Sequence, residues 1–276
     1  MKTFFRRLRR NTAGWVGLWL TLAVIVAAVA APLLSPHDPT EMFREARLAP
    51  PGPAHWFGTD ELGRDLLSRI LYGARVSVQV GLISVGIGAA GGTVLGLISG
   101  YYRGIVDTLV SRCMDILFAF PSILLAMAVV AVLGPSVTNT MVAIGIVYIP
   151  IFTRVVRAAV LAVRELEYVE AARALGLREA RILLAHVLPN SVAPLLVQAS
   201  LALSGAILTE AALSFLGLGV QPPTPSWGSM LSASRRYMEL GYWTALFPAL
   251  AMMVTVLGFN LLGDGLRDVL DPRLKS

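Results

Sequence analysis

The sequence predicts an all-α polytopic membrane protein with six transmembrane helices and cytoplasmic N- and C-termini, and three observations carry that prediction. Hydrophobic residues make up 56% of the 276 residues and charged residues 14%, against about 25% charged in a typical soluble protein, so a water-facing surface cannot be built from them. Uncharged runs cover residues 11–37, 76–102, 116–153, 182–209, 211–234 and 240–263, each long enough for a bilayer crossing of about 20 residues. Segments assigned to the cytoplasm hold 15 Lys and Arg residues against 7 in the outer segments, the bias that cytoplasmic loops retain. The net charge of +6 therefore reads as an orientation signal, and no nucleic-acid partner is expected.

The first span, Gly14–Leu34, follows the cluster Arg6, Arg7, Arg9 and Arg10, with Trp15 and Trp19 at the interface. Ala28-Val29-Ala30 resembles a signal-peptide cleavage site, but the apolar stretch is longer than a signal h-region, which favours an uncleaved anchor. Residues 35–75 form an outer segment, irregular where its prolines cluster. From Thr59 onward the spacing of Leu62, Leu66, Leu67 and Ile70 predicts an amphipathic surface helix capped by Thr59, with Asp60, Glu61 and Asp65 exposed on it.

The second span, Val76–Gly100, places Ser84, Gly88, Gly92, Gly96 and Gly100 on one stripe, where absent side chains let another helix approach closely. Leu133-Gly134-Pro135-Ser136 is a turn signal. It divides the longest run into a third span, Asp107–Leu133, and a fourth, Val137–Val160. The fifth span opens after Pro189 and ends near Phe215, and the sixth covers Trp243–Leu262. In organisation, residues 1–75 hold the N-terminus, first span and outer segment; 76–263 form the core; 264–276 form a cytoplasmic tail. A second outer loop, 217–242, contains Trp227, which reads as an interfacial anchor.

Several chemistries are missing. The two lysines, Lys2 and Lys275, do not follow a glycine, so the phosphate cradle GxxxxGK[ST] is absent, and no ATPase site or other enzyme activity is expected of the chain itself. His37, His55 and His186 are scattered without zinc-site spacing, and no metal or cofactor is expected. Cys113 reads as a small packing residue. Charged groups in or near spans are functional candidates: Glu210 near the outer end of span five, able to reach water or a basic partner, and Asp107, Arg112 and Asp115 as an ion-pair network in which Arg112 lies one helical turn from Asp115. Glu210 and Asp115 are the candidates for the translocation path or its gate. A stand-alone ion-coupled secondary transporter using these acids is the alternative they leave open.

The most informative segment is the cytoplasmic loop Arg164–Asn190. Leu166, Val169, Ala172 and Leu175 follow helical spacing, Gly176 supplies a left-handed helix end, and a second helix from Arg178 to Val187 ends at Pro189. Ala171 and Ala172 keep the first helix thin enough to enter a partner's groove, with Glu165, Glu167, Glu170, Arg164 and Arg173 around it.

Glu170-Ala171-Ala172, then Gly176 and Leu188-Pro189, resemble the EAA loop of permease subunits in binding-protein-dependent ABC importers. FGTDELGRDLLSRILYGARVS (57–77), DILFAFPSILLA (115–126), EAALSFLGLGVQPPTPSWGSML (210–231) and FNLLGDGLRDVLDPR (259–273) are similar to the dipeptide and oligopeptide permeases of that family. The resemblance implies a type I ABC importer permease fold in a bacterial inner membrane. It also implies a second homologous permease subunit completing a heterodimer, two ABC ATPase subunits and an extracytoplasmic solute-binding protein. Glu170, Ala171, Ala172, Leu175, Gly176, Leu177, Leu188 and Pro189 would then couple the permease to its ATPase, with the outer segments meeting the binding protein. Relatives of the family import dipeptides, longer peptides, glutathione or nickel complexes.

Overall fold

The computed structural model describes residues 8–270, so the arginines 6 and 7 and the last residues of the expected tail lie outside the described residues. Helix α1 spans Thr12–Val29, with Asn11 as N-cap accepting from the Gly14 amide, and breaks at Ala30 into a short helical turn, Ala31–Leu34, with Pro32 in its first turn. α2 runs from Leu66 to Tyr102. Its 37 residues extend about 55 Å at 1.5 Å per residue, more than the roughly 40–45 Å of a whole bilayer with its headgroups, so its ends stand outside the membrane. The amphipathic surface helix expected from Thr59 is corrected: residues 59–65 form a loop closed by an antiparallel bridge between Thr59 and Asp65, Asp65 is the N-cap, accepting from the Ser68 amide, and the leucines beyond it open the transmembrane helix itself.

The third span is also corrected. α3 (Gly104–Phe118) and α4 (Ser122–Leu133) are two helices bent by 91° across the break at 119–121. Pro121 has no N–H to donate and disfavours helical geometry at the residue before it, so the helix stops there. Gly134, with φ +87°, and Ser136, which caps the next helix, form the expected turn. α5 then runs Val137–Val163.

In the cytoplasmic loop, α6 spans Glu167–Ala174 and α7 Glu179–Ile182; a π-helical turn, Leu183–Val187, joins α7 directly to α8, Leu188–Phe215. No break occurs at Pro189. The wider π turn just before it absorbs the missing amide, so the second loop helix and the fifth span are one continuous rod. α9 (Trp227–Ser234) lies in the outer loop, and α10 (Trp243–Leu270) carries the sixth span eight residues further than expected.

Five of these helices are long and apolar enough to cross a bilayer, with α7 and α8 counted together, and the α3–α4 pair, bent by 91°, makes a sixth if its two halves form one span. At the centre, α2 lies against α5 along the glycine stripe. A Cβ at Gly88 would come 2.6 Å from the Tyr148 Cβ, one at Gly92 2.8 Å from the Ile149 carbonyl oxygen, and one at Gly96 2.7 Å from that of Thr153. Only glycine permits that approach, and Ser84 adds a hydrogen bond to the Met141 carbonyl oxygen at 3.0 Å. α1 docks on α10 through a similar small-residue contact between Gly14 and Gly265.

The outer segment is folded down on this bundle. Asp60 pairs with Arg64 at 2.7 Å and with Arg69 at 3.4 Å, all three buried, so these acids are not on an exposed face. Trp227 is 2% exposed and donates its indole N–H to the Ile70 carbonyl oxygen at 3.1 Å, wedged over Gly73. It is a core residue, which corrects the reading as an interfacial anchor. Cys113, in contrast, is exposed, which corrects its reading as a small packing residue.

Candidate functional site: the loop Arg164–Asn190

α6 begins after Leu166 and ends at Leu175 because Gly176 turns the chain with φ +75°. Its first turn carries Glu167 and Glu170 and its last turn Arg173, an arrangement that complements the helix dipole. The inner face is narrow. Val169 and Ala172 are buried with Leu97, Tyr101, Val156, Val160, Val163, Ile182 and Val187, which seats the loop on the inner ends of α2 and α5. Ala172 therefore packs against the chain's own helices, not into a partner's groove. Leu166 and Leu175, which share the helical spacing of Val169 and Ala172, are 45% and 81% exposed, and Glu170 and Ala171 also face outward.

The exposed tip has a defined shape. Leu175, Gly176, Leu177, Arg178, Ala180, Arg181, Leu184 and Ala185 line an open groove of ≈ 790 Å³. Leu188 is half-buried against the cluster beneath the loop and Pro189 is exposed, so of the residues singled out, Leu175, Gly176 and Leu177 come together at the groove while Ala172 and Leu188 hold its base.

Polar contacts fix the loop to α2. The Tyr101 hydroxyl hydrogen-bonds Glu179, which Arg173 approaches at 3.4 Å across the Gly176 turn. Arg164 donates to the Tyr101 carbonyl oxygen, and Arg103 pairs with Glu165 at 2.8 Å. The Arg173 guanidinium is held above its ordinary pKa by its hydrogen bond to Tyr101. None of Tyr101, Arg103 or Glu179 stood out in the sequence. The only available signal was their position at a helix end and after a turn.

The membrane acids are partnered differently from the expectation. Asp107 accepts two hydrogen bonds from Arg157, Nε at 2.6 Å and Nη2 at 2.7 Å. Asp115 accepts from Arg154 at 2.7 Å, and that guanidinium lies 3.9 Å above the Phe118 ring. Both partners come from α5, and Arg112 joins no ion pair among the described residues. Glu210 is fully buried and ringed by hydroxyls, accepting from Ser214 at 2.7 Å and Ser77 at 3.4 Å. It reaches neither water nor a basic partner among the described residues.

His37 and His55 are not scattered either. They meet at Asp65 on the outer side, because the irregular segment between them folds over the start of α2. His186 lies apart, in the π turn, with its ring 6.4 Å from that of Tyr168.

The chain matches the family described as "Binding-protein-dependent transport system inner membrane component" over residues 92–276, and "N-terminal TM domain of oligopeptide transport permease C" over residues 1–51. It is 52% identical to a dipeptide transport system permease protein of Alkalihalophilus pseudofirmus over 99% of this chain and 90% of that protein. It is 48% identical to a glutathione transport system permease protein of Pectobacterium atrosepticum over 100% of this chain and 92% of the relative. Among solved structures, an inward-facing MetNI methionine ABC transporter aligns over 73% of this chain and 96% of its own with a TM-score of 0.60 at 19% identity. An amino acid ABC transporter aligns over 72% of this chain and 92% of its own, with a TM-score of 0.57 at 16% identity.

Proposed function

Because the chain belongs to the family of binding-protein-dependent transport system inner membrane components, we propose that it forms one half of an ATP-driven importer for di- or oligopeptides in a bacterial plasma membrane. A second, homologous permease subunit completes the pathway. Two ABC ATPase subunits supply the energy, and an extracytoplasmic solute-binding protein delivers the cargo. Relatives named for dipeptide, di/tripeptide and glutathione transport support a short-peptide cargo.

The observation that carries the coupling assignment is the exposed Leu175–Gly176 tip on a base that is buried and hydrogen-bonded to Tyr101 at the end of α2. An apolar side chain standing in solvent at the end of a braced helix is suited to a partner's groove. Glu170, Ala171, Leu175, Gly176 and Leu177 make the contact in this reading, and Ala172, Leu188 and Pro189 transmit it. Movement of the tip then reaches α2 through Tyr101 and α8 through the continuous rod from Glu179. ATP hydrolysis belongs to the ATPase subunits, consistent with the absent phosphate cradle.

Glu210 is enclosed by Ser77 and Ser214, which supports a role in joining α2 to α8 ahead of lining the pathway. Asp115, with its arginine partner about half exposed, is the acid better placed to face a pathway closed by the second permease. Relatives named as permeases of dipeptide and di/tripeptide transport systems favour the importer over a stand-alone ion-coupled carrier.

Leu175→Glu tests the assignment, because the fold makes no use of that side chain. The variant inserts normally but fails to co-purify the ATPase subunits and loses ATP-dependent peptide uptake in proteoliposomes. Retention of wild-type uptake overturns the coupling role. Identification of the ligand on the co-purified binding protein separately decides the cargo.

A further inference from the structure

On the outer face, three ligand-type atoms converge where the folded outer segment meets the first turn of α2. One ring nitrogen from each of His37 and His55 and an Asp65 carboxylate oxygen all lie within 4.8 Å of one another. His55 Nδ1 is 2.9 Å and His37 Nδ1 3.7 Å from the same Asp65 Oδ1. The site is constructed from both sides. Asp65 is completely buried, and its other oxygen is occupied as the helix cap, accepting from the Ser68 amide and hydroxyl, each at 2.8 Å. His37 is held through its backbone, its N–H donating to Ser68 Oγ at 3.2 Å and its carbonyl oxygen accepting from Ser35 Oγ at 2.6 Å. Phe43 closes one side, its ring 5.1 Å from each imidazole.

One detail does not fit a purely structural hydrogen-bond network. His37 Nδ1 is buried and has no hydrogen-bond partner, although a buried polar atom left unpaired costs about 1–3 kcal/mol. Its neighbour His55 already uses the nearby lone pairs of Asp65 Oδ1. A cation shared by the three atoms satisfies them together.

We propose that His37, His55 and Asp65 bind one divalent transition cation of the zinc class. Two imidazoles and a carboxylate form a nitrogen and oxygen donor set that suits zinc, and not the all-oxygen shells of calcium or magnesium. Tetrahedral zinc with bonds near 2.0–2.1 Å places its ligands about 3.3 Å apart, a value that the observed 2.9 and 3.7 Å bracket. In the metal-free form an Nδ1–H of His55 donates to Asp65; when the cation takes that place, Nδ1 gives up its proton and Nε2 takes one by exchange with solvent, so the imidazole stays neutral and binds through the freed Nδ1 lone pair. The His37 side chain, 27% exposed, marks the open side, where water completes the coordination. The ion would tie the segment 36–55 to the start of α2, fixing the outer surface of the chain.

The test uses the full-length chain in detergent, purified without a polyhistidine tag and in a Cys113→Ser, His186→Gln background, in which His37 and His55 are the only histidines of the chain's three. After chelator treatment, Co²⁺ is titrated and followed by its visible absorption, and Zn²⁺ affinity is measured by competition with a chromophoric chelator. The expected result is saturation at one equivalent, with the spectrum of a low-coordinate nitrogen and oxygen site, and Zn²⁺ binding weakened by more than ~10-fold in His37→Gln. Absence of a saturating one-equivalent spectrum in the background chain overturns the proposal without reference to any further variant. So does an unchanged Zn²⁺ affinity in a His37→Gln chain that elutes as the parent does.

Discussion

The Tyr101 hydroxyl at the cytoplasmic end of α2 hydrogen-bonds the carboxylate of Glu179, on the far side of the Gly176 turn from α6. Two segments 78 residues apart in sequence are thereby joined at the base of the loop proposed to meet the ATPase. Tyr101→Phe and Glu179→Gln should each lower coupled uptake in the reconstituted importer by about tenfold, the equivalent of 1.4 kcal/mol, while ATP hydrolysis continues. Because the two share this bond, the double variant should lose less than the product of the two single losses. Multiplying losses would show that the two residues act separately.

Gly176 isolates backbone strain from crowding. A Cβ there would meet nothing within 4 Å, yet φ is +75°, a region that costs an ordinary L-residue about 1–2 kcal/mol. Asn enters it more readily than β-branched residues do. Gly176→Asn should retain most uptake and Gly176→Val should lose it, with equal amounts of both in the membrane. Equal activity of the two variants would point away from the turn geometry.

Along the α2–α5 contact the opposite situation holds. Gly92→Ala places a methyl 2.8 Å from the Ile149 carbonyl oxygen and the Thr153 amide nitrogen, so the helices must separate, at a cost of about 1–3 kcal/mol. Gly86, on the same helix, has nothing within 4 Å, and Gly86→Ala should be neutral. Thermal unfolding in detergent followed by size-exclusion chromatography distinguishes the two.

Asp107 and Arg157 hold α3 to α5 through two short hydrogen bonds. Asp107→Ala leaves the guanidinium without its partner and should reduce the amount of folded protein recovered from membranes. The exchange Asp107→Arg with Arg157→Asp should restore it in part. No recovery in the exchanged chain, with normal insertion, would mean that local shape matters more than the pairing.

The order of the apolar spans, the turn at Gly134, the glycine stripe and the Gly176 helix end could all be read from the chain. Each follows from a local rule: apolar run length, the close approach that small residues allow, or the conformational freedom of a single residue. Periodicity failed where one helix passes through two environments. Leu66, Leu67 and Ile70 look amphipathic because α2 emerges from the membrane there, and the same rod-like continuity hides the junction between α7 and α8.

What only the tertiary structure decided is which charged and polar groups find one another. Asp107 and Asp115 take partners from α5 instead of the nearby Arg112, Ala172 turns inward while Leu175 turns out, and Trp227 is a buried wedge. His37, His55 and Asp65 meet although the segment between them has no regular period. Such pairings depend on where the backbone brings remote segments to within a few ångströms, where a charge or hydrogen-bonding group leaves water only if a specific partner is already there.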